Sequence, residues 1–212
     1  MEERNQEVIK KAFELFGQYG IKSVSMDDIA RELAISKKTL YNLVKDKNSL
    51  VMDVIDYMRD IFKESLEVFH NEKYNAIEQF FQMGQSMDAT FGSIQPAFVR
   101  DLQKYHPEAS RIVVEEKKEI QEAAFLANVQ HGQAAGIYQE DVDGEIVARI
   151  LLTLQLHLLG PMLKNEAATE MVFRKEGLHR EVLKYHFRAI CTPKGMEELK
   201  RQGEKWQREC NC

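Results

Sequence analysis

Cysteine, proline and uninterrupted apolar sequence are all scarce in this chain of 212 residues. The three cysteines, Cys191, Cys210 and Cys212, fall within the last 22 residues. An odd number crowded at one end is no disulfide framework, so a reducing, cytoplasmic setting is the expectation. Cys210-Asn211-Cys212 reads as part of an exposed polar tail before it reads as a metal or redox site. Only four prolines interrupt the chain, Pro96, Pro107, Pro161 and Pro193. The longest apolar stretch without a charge, Ile150 to Leu163, is 14 residues. About 20 are needed to cross a bilayer, so a buried helix is expected there and no membrane anchor. The opening MEERNQ has no apolar run behind a basic stretch, and no secretory signal is expected. Alternating β-branched runs, internal repeats and low-complexity segments are also missing.

Positive charge is not in excess. The net is −5, which excludes a chain that coats nucleic acid indiscriminately. The distribution says more. Residues 1–50 carry nine Lys/Arg against eight Asp/Glu, a net of +1, so the remainder carries −6. Within Ser36–Lys47, four lysines (Lys37, Lys38, Lys45 and Lys47) face Asp46 alone, a net of +3. A local basic patch on a repelling body can hold phosphates while discouraging unspecific adhesion.

What is present is the 3.6-residue period of amphipathic helices, repeated along the chain. The first helix is expected from about Arg4 to Tyr19, with Val8, Ala12 and Phe16 on one face and Gly20 as its stop. Ser25-Met26-Asp27-Asp28 has capping-box spacing, with Asp28 where Glu is usual. The short helix it starts ends near Ala34. A tight turn at Ile35-Ser36 leads to a third helix, Lys37–Val44, capped by Ser36. Asp46 caps a fourth. Further helices are expected over Asn75–Phe91, from Pro96, from Pro107 to about Gln133, over Gly144–Leu163 behind Asp143, and over Leu178–Ile190. The tail from Pro193 is polar and is expected to have uncertain order. The fold class is therefore all-α, divided at 1–47 and 48–212.

Two short capped helices joined by a tight turn form a helix-turn-helix, whose second helix enters the DNA major groove. Here its outward residues are Lys37, Lys38, Thr39, Tyr41 and Asn42. Lysine can donate to guanine, and asparagine can bond adenine in two places. The hydroxyls of Thr39 and Tyr41 suit phosphate oxygens, which position without reading sequence. Lys47 is expected to point back at the same backbone. The helix starts at Ser25 and Ser36 offer amides to phosphates. Short capped helix pairs with solvated lysines also occur in proteins that bind no DNA.

The stretch Ala12–Leu50 resembles the TetR family of bacterial regulators. The matching pieces are Ala12-Phe13-Glu14-Leu15-Phe16, Gly20, Ser25-Met26-Asp27-Asp28-Ile29-Ala30, Leu33 through Tyr41, and Lys45-Asp46-Lys47-Asn48-Ser49-Leu50. Gly136-Ile137-Tyr138 with Asp141-Val142-Asp143 resembles that family's entry to its eighth helix. Lys38 stands where a glycine is common, and Leu43-Val44 where an aromatic pair is common, so the operator cannot be carried over. The resemblance implies a three-helix DNA-binding head on a larger helical body that binds an effector and dimerises. It implies a ligand-responsive repressor acting as a homodimer on a palindromic operator. By resemblance, phosphate contacts fall on Ser25, Ser36, Thr39, Tyr41 and Lys47, and base contacts on Lys37, Lys38 and Asn42.

The segment Ile146–Leu159 is apolar nearly all round, so it must be covered on more than one side. Its own core covers one side and a second copy is expected on another. Leu151, Leu154 and Leu158, with Val182, Tyr185 and His186 of the amphipathic Leu178–Ile190, are the candidate dimer interface. Phe80, Met83, Met87, Phe98 and Phe125 are candidates for an effector pocket, although Phe and Met at helical spacing usually build plain core. A small apolar effector is possible. No cofactor and no metal site are expected.

Two other classes remain as alternatives. For an enzyme, the six histidines (His70, His106, His131, His157, His179 and His186) form no HExxH pair, and neither a Gly-rich phosphate loop nor a nucleophile motif is visible. Turnover of a substrate would reveal one. A protein-interaction module could keep the head without reading DNA, and it would select no sequence from random duplexes.

Overall fold

The computed structural model describes residues 2–164 and 178–210, and within them the side chains of 4–111, 118–154 and 183–205. Ten α-helices lie among these residues: α1 Glu2–Tyr19, α2 Met26–Glu32, α3 Lys37–Leu43, α4 Lys47–Leu66, α5 Ala76–Phe91, α6 Pro96–Tyr105, α7 Pro107–Ala134, α8 Gly144–Lys164, α9 Leu178–Ile190 and α10 Pro193–Cys210. A short 3-10 turn, Glu67–His70, follows α4. Extended pairing among the described residues is limited to one isolated bridge, Tyr138 with Cys191. The chain is all-α.

Contacts divide the chain into two compact units, Met1–Lys63 with Ala89–Lys117, and Glu64–Asp88 with Lys118–Cys212. The first unit is thus larger than the three-helix head. It recruits α6, which packs on α1. Its core is built from Val8, Ala12 and Phe16 of α1, Ile29 of α2, Leu40 of α3, Val51 and Val54 of α4, and Phe98 and Leu102 of α6. Leu40 is the only buried residue of α3. Leu40, with partly buried Leu43 packed on the same core, anchors that helix, and burying a leucine side chain contributes about 1.5–3 kcal/mol.

Caps set the helix limits. Asp46 Oδ1 accepts the Ser49 N–H at 2.8 Å and starts α4. Asn75 Oδ1 accepts the Ile77 and Glu78 N–H groups at 3.0 Å and starts α5. Asp143 Oδ1 accepts the Glu145 and Ile146 N–H groups at 3.0 and 3.1 Å and starts α8.

The second unit centres on four aromatic rings. Phe69 lies 4.9 Å from Phe80 and 5.8 Å from Phe125, and Phe80 lies 5.1 Å from Phe187, all edge-on. Such pairs add about 0.5–1.5 kcal/mol beyond burial. Beside them runs a buried polar chain. Tyr138 donates to Asn128 Oδ1 at 3.2 Å. Asn128 donates to Gln79 Oε1 at 2.8 Å and to the Ala76 carbonyl at 2.7 Å. Gln79 Nε2 meets His131 Nδ1 at 3.0 Å. With donors and acceptors matched, this chain fixes α5 on α7 without stranding a buried polar group. Gly132 is forced here: a Cβ would sit 2.1 Å from the Tyr138 ring.

The segment from Pro193, expected to have uncertain order, is instead helical over Pro193–Cys210. Long-range bonds hold it. Lys194 Nζ donates to the Ala135 carbonyl at 2.8 Å, where α7 ends. Gln202 Nε2 donates to Glu78 Oε1 at 2.9 Å. Among the described residues, no helix is long and apolar enough to cross a membrane.

Candidate nucleic-acid interface

The helix-turn-helix begins at Ser25, whose extended backbone turns the chain into α2. Its hydroxyl oxygen accepts the Asp28 N–H at 3.2 Å. In return Asp28 Oδ2 accepts the Ser25 N–H at 2.9 Å and the Ser25 hydroxyl proton at 2.6 Å. The capping box is complete with Asp in the place of Glu. The Ser25 side-chain bond, then its backbone bond, then Arg31, pull the Asp28 carboxyl down to about 2. Both donors at this helix start are therefore already bonded within the chain, which leaves the Ser25 hydroxyl tied to Asp28.

The turn after α2 closes that helix and leads into α3. The Ala34 N–H donates to the Arg31 carbonyl at 3.1 Å and the Ile35 N–H to the Ala30 carbonyl at 3.0 Å. This is a Schellman closure. Its left-handed position is filled by Ala34, at φ 52°. Ser36 then caps α3: its Oγ accepts the Thr39 N–H at 3.0 Å, and the two hydroxyls lie 2.7 Å apart.

With Leu40 inward, Lys37, Lys38, Tyr41 and Asn42 stand exposed on the opposite side of α3, and Thr39 is half-buried. Tyr41 is 44% exposed. Lys37 Nζ lies 2.7 Å from Asp27 Oδ1 on α2. This bond and charge hold the ammonium above its ordinary pKa. Lys47 is half-buried at the start of α4, its Nζ 5.9 Å from the Phe16 ring centre. Burial lowers its pKa, opposed by the charges of Asp101 and Asp28. Asp27 and Asp101 escape notice in the sequence because each acts on a residue remote along the chain.

The candidate pocket and interface residues fall out as follows. Phe80, Met83 and Phe125 are buried in the second unit, and half-buried Met87 accepts the Ser65 hydroxyl at 3.3 Å. Phe98 belongs to the first unit's core. Leu151 is buried within its own unit, Leu154 is half-buried, and His186 is buried. Burial alone pushes His186 down to about 4. Tyr185 is 77% exposed, and Ile146 and Ile150 are the large exposed apolar residues among the described side chains of α8. The side chains of Leu158 and Val182 lie outside the described residues, as do those of His157, His179, Cys210 and Cys212. Cys191 is buried and unpaired by disulfide, its thiol pushed up to about 11 by burial. Among the described residues, no three His, Cys, Asp or Glu side chains gather as a metal site would require.

A capped helix pair joined by a tight turn, with a polar outer face on its second helix, is the helix-turn-helix arrangement. Residues 8–54 match the family described as bacterial regulatory proteins, tetR family. The chain is 28% identical over 106 residues to the uncharacterized HTH-type transcriptional regulator YvaF of Bacillus subtilis (strain 168), covering 50% of this chain and 55% of that one. It is 42% identical over 60 residues to an HTH-type transcriptional regulator of Staphylococcus aureus (strain USA300), covering 28% of this chain and 32% of the relative. The matched stretch thus spans about half the length of the first relative and a third of the second. Two solved structures share the fold. A transcriptional regulator from Cytophaga hutchinsonii has a TM-score of 0.67 at 19% identity, covering 88% of this chain and 98% of that one. The regulatory protein TetR from Rhodobacter sphaeroides has a TM-score of 0.61 at 16% identity, covering 87% and 97%.

Proposed function

We propose that this protein is a DNA-binding transcriptional regulator, a ligand-responsive repressor that binds a palindromic operator as a homodimer in the cytoplasm. The observation that carries the reading is the two-sidedness of α3. Leu40 is its sole buried residue, while Lys37, Lys38, Tyr41 and Asn42 are presented outward. In the major groove, Lys37, Lys38 and Asn42 would meet base edges. Ser36, Thr39, Tyr41 and Lys47 would meet phosphates, and Ser25 would join them only by giving up its bonds to Asp28. The HTH-type regulators it resembles, and the tetR-family match over residues 8–54, support this reading.

The homodimer is proposed through α8 and α9. These two helices pack together. They leave Ile146, Ile150 and Tyr185 exposed, apolar surface that a second copy would remove from water. Twofold pairing would place two α3 helices on successive half-sites. The proposed effector is a small apolar molecule held near Phe80, Met83, Met87 and Phe125. It would shift DNA binding only by its differential affinity for two shapes of the body. The protein would then have no enzymatic role.

Selection of bound sequences from random duplexes with the purified chain tests the proposal. A palindromic winner, with half-sites one helical turn (about 34–36 Å) or a multiple apart, supports reader and dimer together. Absence of any enriched sequence overturns both and favours a protein-interaction module.

A further inference from the structure

Asp101 lies on α6, far along the chain from the helix-turn-helix, yet its Oδ2 accepts the Lys22 backbone N–H at 2.7 Å. Lys22 belongs to the turn between α1 and α2 that delivers the chain to Ser25. The approach depends on Gly20. Its φ is +84°, and a Cβ there would stand 2.9 Å from Asp101 Oδ2 and 3.1 Å from the Ala97 Cβ. A second bond joins the same elements: the Gln95 N–H, at the start of α6, donates to the Gly17 carbonyl at 2.8 Å. Beneath these bonds Phe98 and Leu102 of α6 are buried in one core with Phe16. The Asp101 charge also bears on Lys47, at the start of α4, and on His106, at the end of α6.

One carboxylate on α6 therefore reaches the turn that precedes the reading unit and faces the lysine that follows it. We propose that Asp101 is a positioning residue for operator recognition: by holding the turn before α2 against α6, it sets the orientation in which α3 meets the duplex. The inference rests on the DNA-reading function proposed above. Base-edge bonds need fixed donor geometry, whereas attraction to phosphates tolerates a tilt. Loss of the carboxylate then weakens specific binding more than unspecific binding.

The test compares the wild-type chain with Asp101→Ala, Asp101→Asn and Tyr41→Ala, on the selected duplex and on a scrambled duplex at the same salt. Asp101→Ala is expected to lose on the order of tenfold in specific affinity, as for one hydrogen bond to a charged group. Its affinity for scrambled DNA stays within about twofold, because the lysines are untouched. Asp101→Asn recovers most of the loss, since its amide oxygen still accepts from Lys22. Three results overturn the inference: full specific affinity in Asp101→Ala, an equal fall on both duplexes, or no rescue by asparagine. If Tyr41→Ala loses affinity while Asp101→Ala does not, the inference fails alone. If neither does, the DNA-reading function fails with it. Hydrogen exchange at the Lys22 amide of the wild-type chain gives a readout independent of variant folding. Protection is expected, and exchange at the unfolded-chain rate would overturn the contact.

Discussion

Lys37 and Asp27 form an ion pair at 2.7 Å across the two short helices, with both side chains more than half exposed. The pair joins the first residue of the reading helix to the helix behind it. It tethers one of the proposed base contacts in the absence of DNA.

An exposed, solvent-screened pair of this kind contributes little to stability. Its larger effect concerns DNA. Asp27→Asn frees the Lys37 ammonium and removes a negative charge from the face that meets phosphates. Unspecific duplex affinity is expected to rise, and its salt dependence to steepen by about one unit of slope. The melting temperature should barely move. Titration by fluorescence anisotropy at several salt concentrations checks this. An unchanged slope would show that Lys37 stays clear of the backbone.

Acid should loosen the head through Asp28. Its folded-state pKa is lowered to about 2, below the ordinary carboxylate value of about 3.9. The stabilisation is therefore fully present above pH 4 and is lost as pH falls from about 4 to about 2. Asp28→Asn should remove that part of the acid dependence. Urea midpoints across this pH range, for both proteins, give the comparison.

Ala34 occupies a left-handed position at φ 52°. An alanine pays about 1–2 kcal/mol there. Glycine would relieve this but brings back roughly 0.4–1 kcal/mol of unfolded-state entropy. Ala34→Gly should therefore be neutral or stabilise by up to about 1.6 kcal/mol. Ala34→Val should destabilise, because a branched side chain fits the position worse. Thermal melts of the two variants decide the sign.

His186 is buried and held neutral, with a folded-state pKa near 4 against an ordinary 6.5. Its contribution is fully present above about pH 6.5 and disappears as pH falls toward 4. The loss reaches up to about 3 kcal/mol at the acid end. His186→Leu should flatten the melting temperature between pH 6.5 and 4. A variant that keeps the full wild-type slope would show that another group is responsible.

The sequence was most legible where a polar cap abuts an apolar period. Ser25, Ser36, Asp46 and Asp143 each start a helix as their spacing implies, and Leu178–Ile190 is helical over the limits its apolar face suggests. Legibility failed where tertiary bonds decide. The tail from Pro193 is strongly polar, so it reads as a solvated tail although its few apolar residues keep a helical period, and its helix is secured by Lys194 and Gln202 reaching residues far away in sequence. The Phe and Met stripe marked buried side chains but could not separate two cores, since Phe80 and Phe98 lie on successive helices that belong to different units. Likewise the apolar α8 does not announce which side faces inward. Leu151 is covered by its own chain while Ile146 and Ile150 are not. For the reading face, the exposed residues were legible, and the acids that hold Lys37 and the turn at Lys22 were not.

The most direct measurement is a gel-shift titration of wild-type protein and Tyr41→Ala against the duplex that selection yields. Tyr41 is exposed and outside the core, so the variant should melt like the wild type. A loss of at least about tenfold in affinity is the result predicted for a side chain that seats α3 on the backbone. Undiminished affinity in a normally folded Tyr41→Ala would contradict the assignment of this face to DNA.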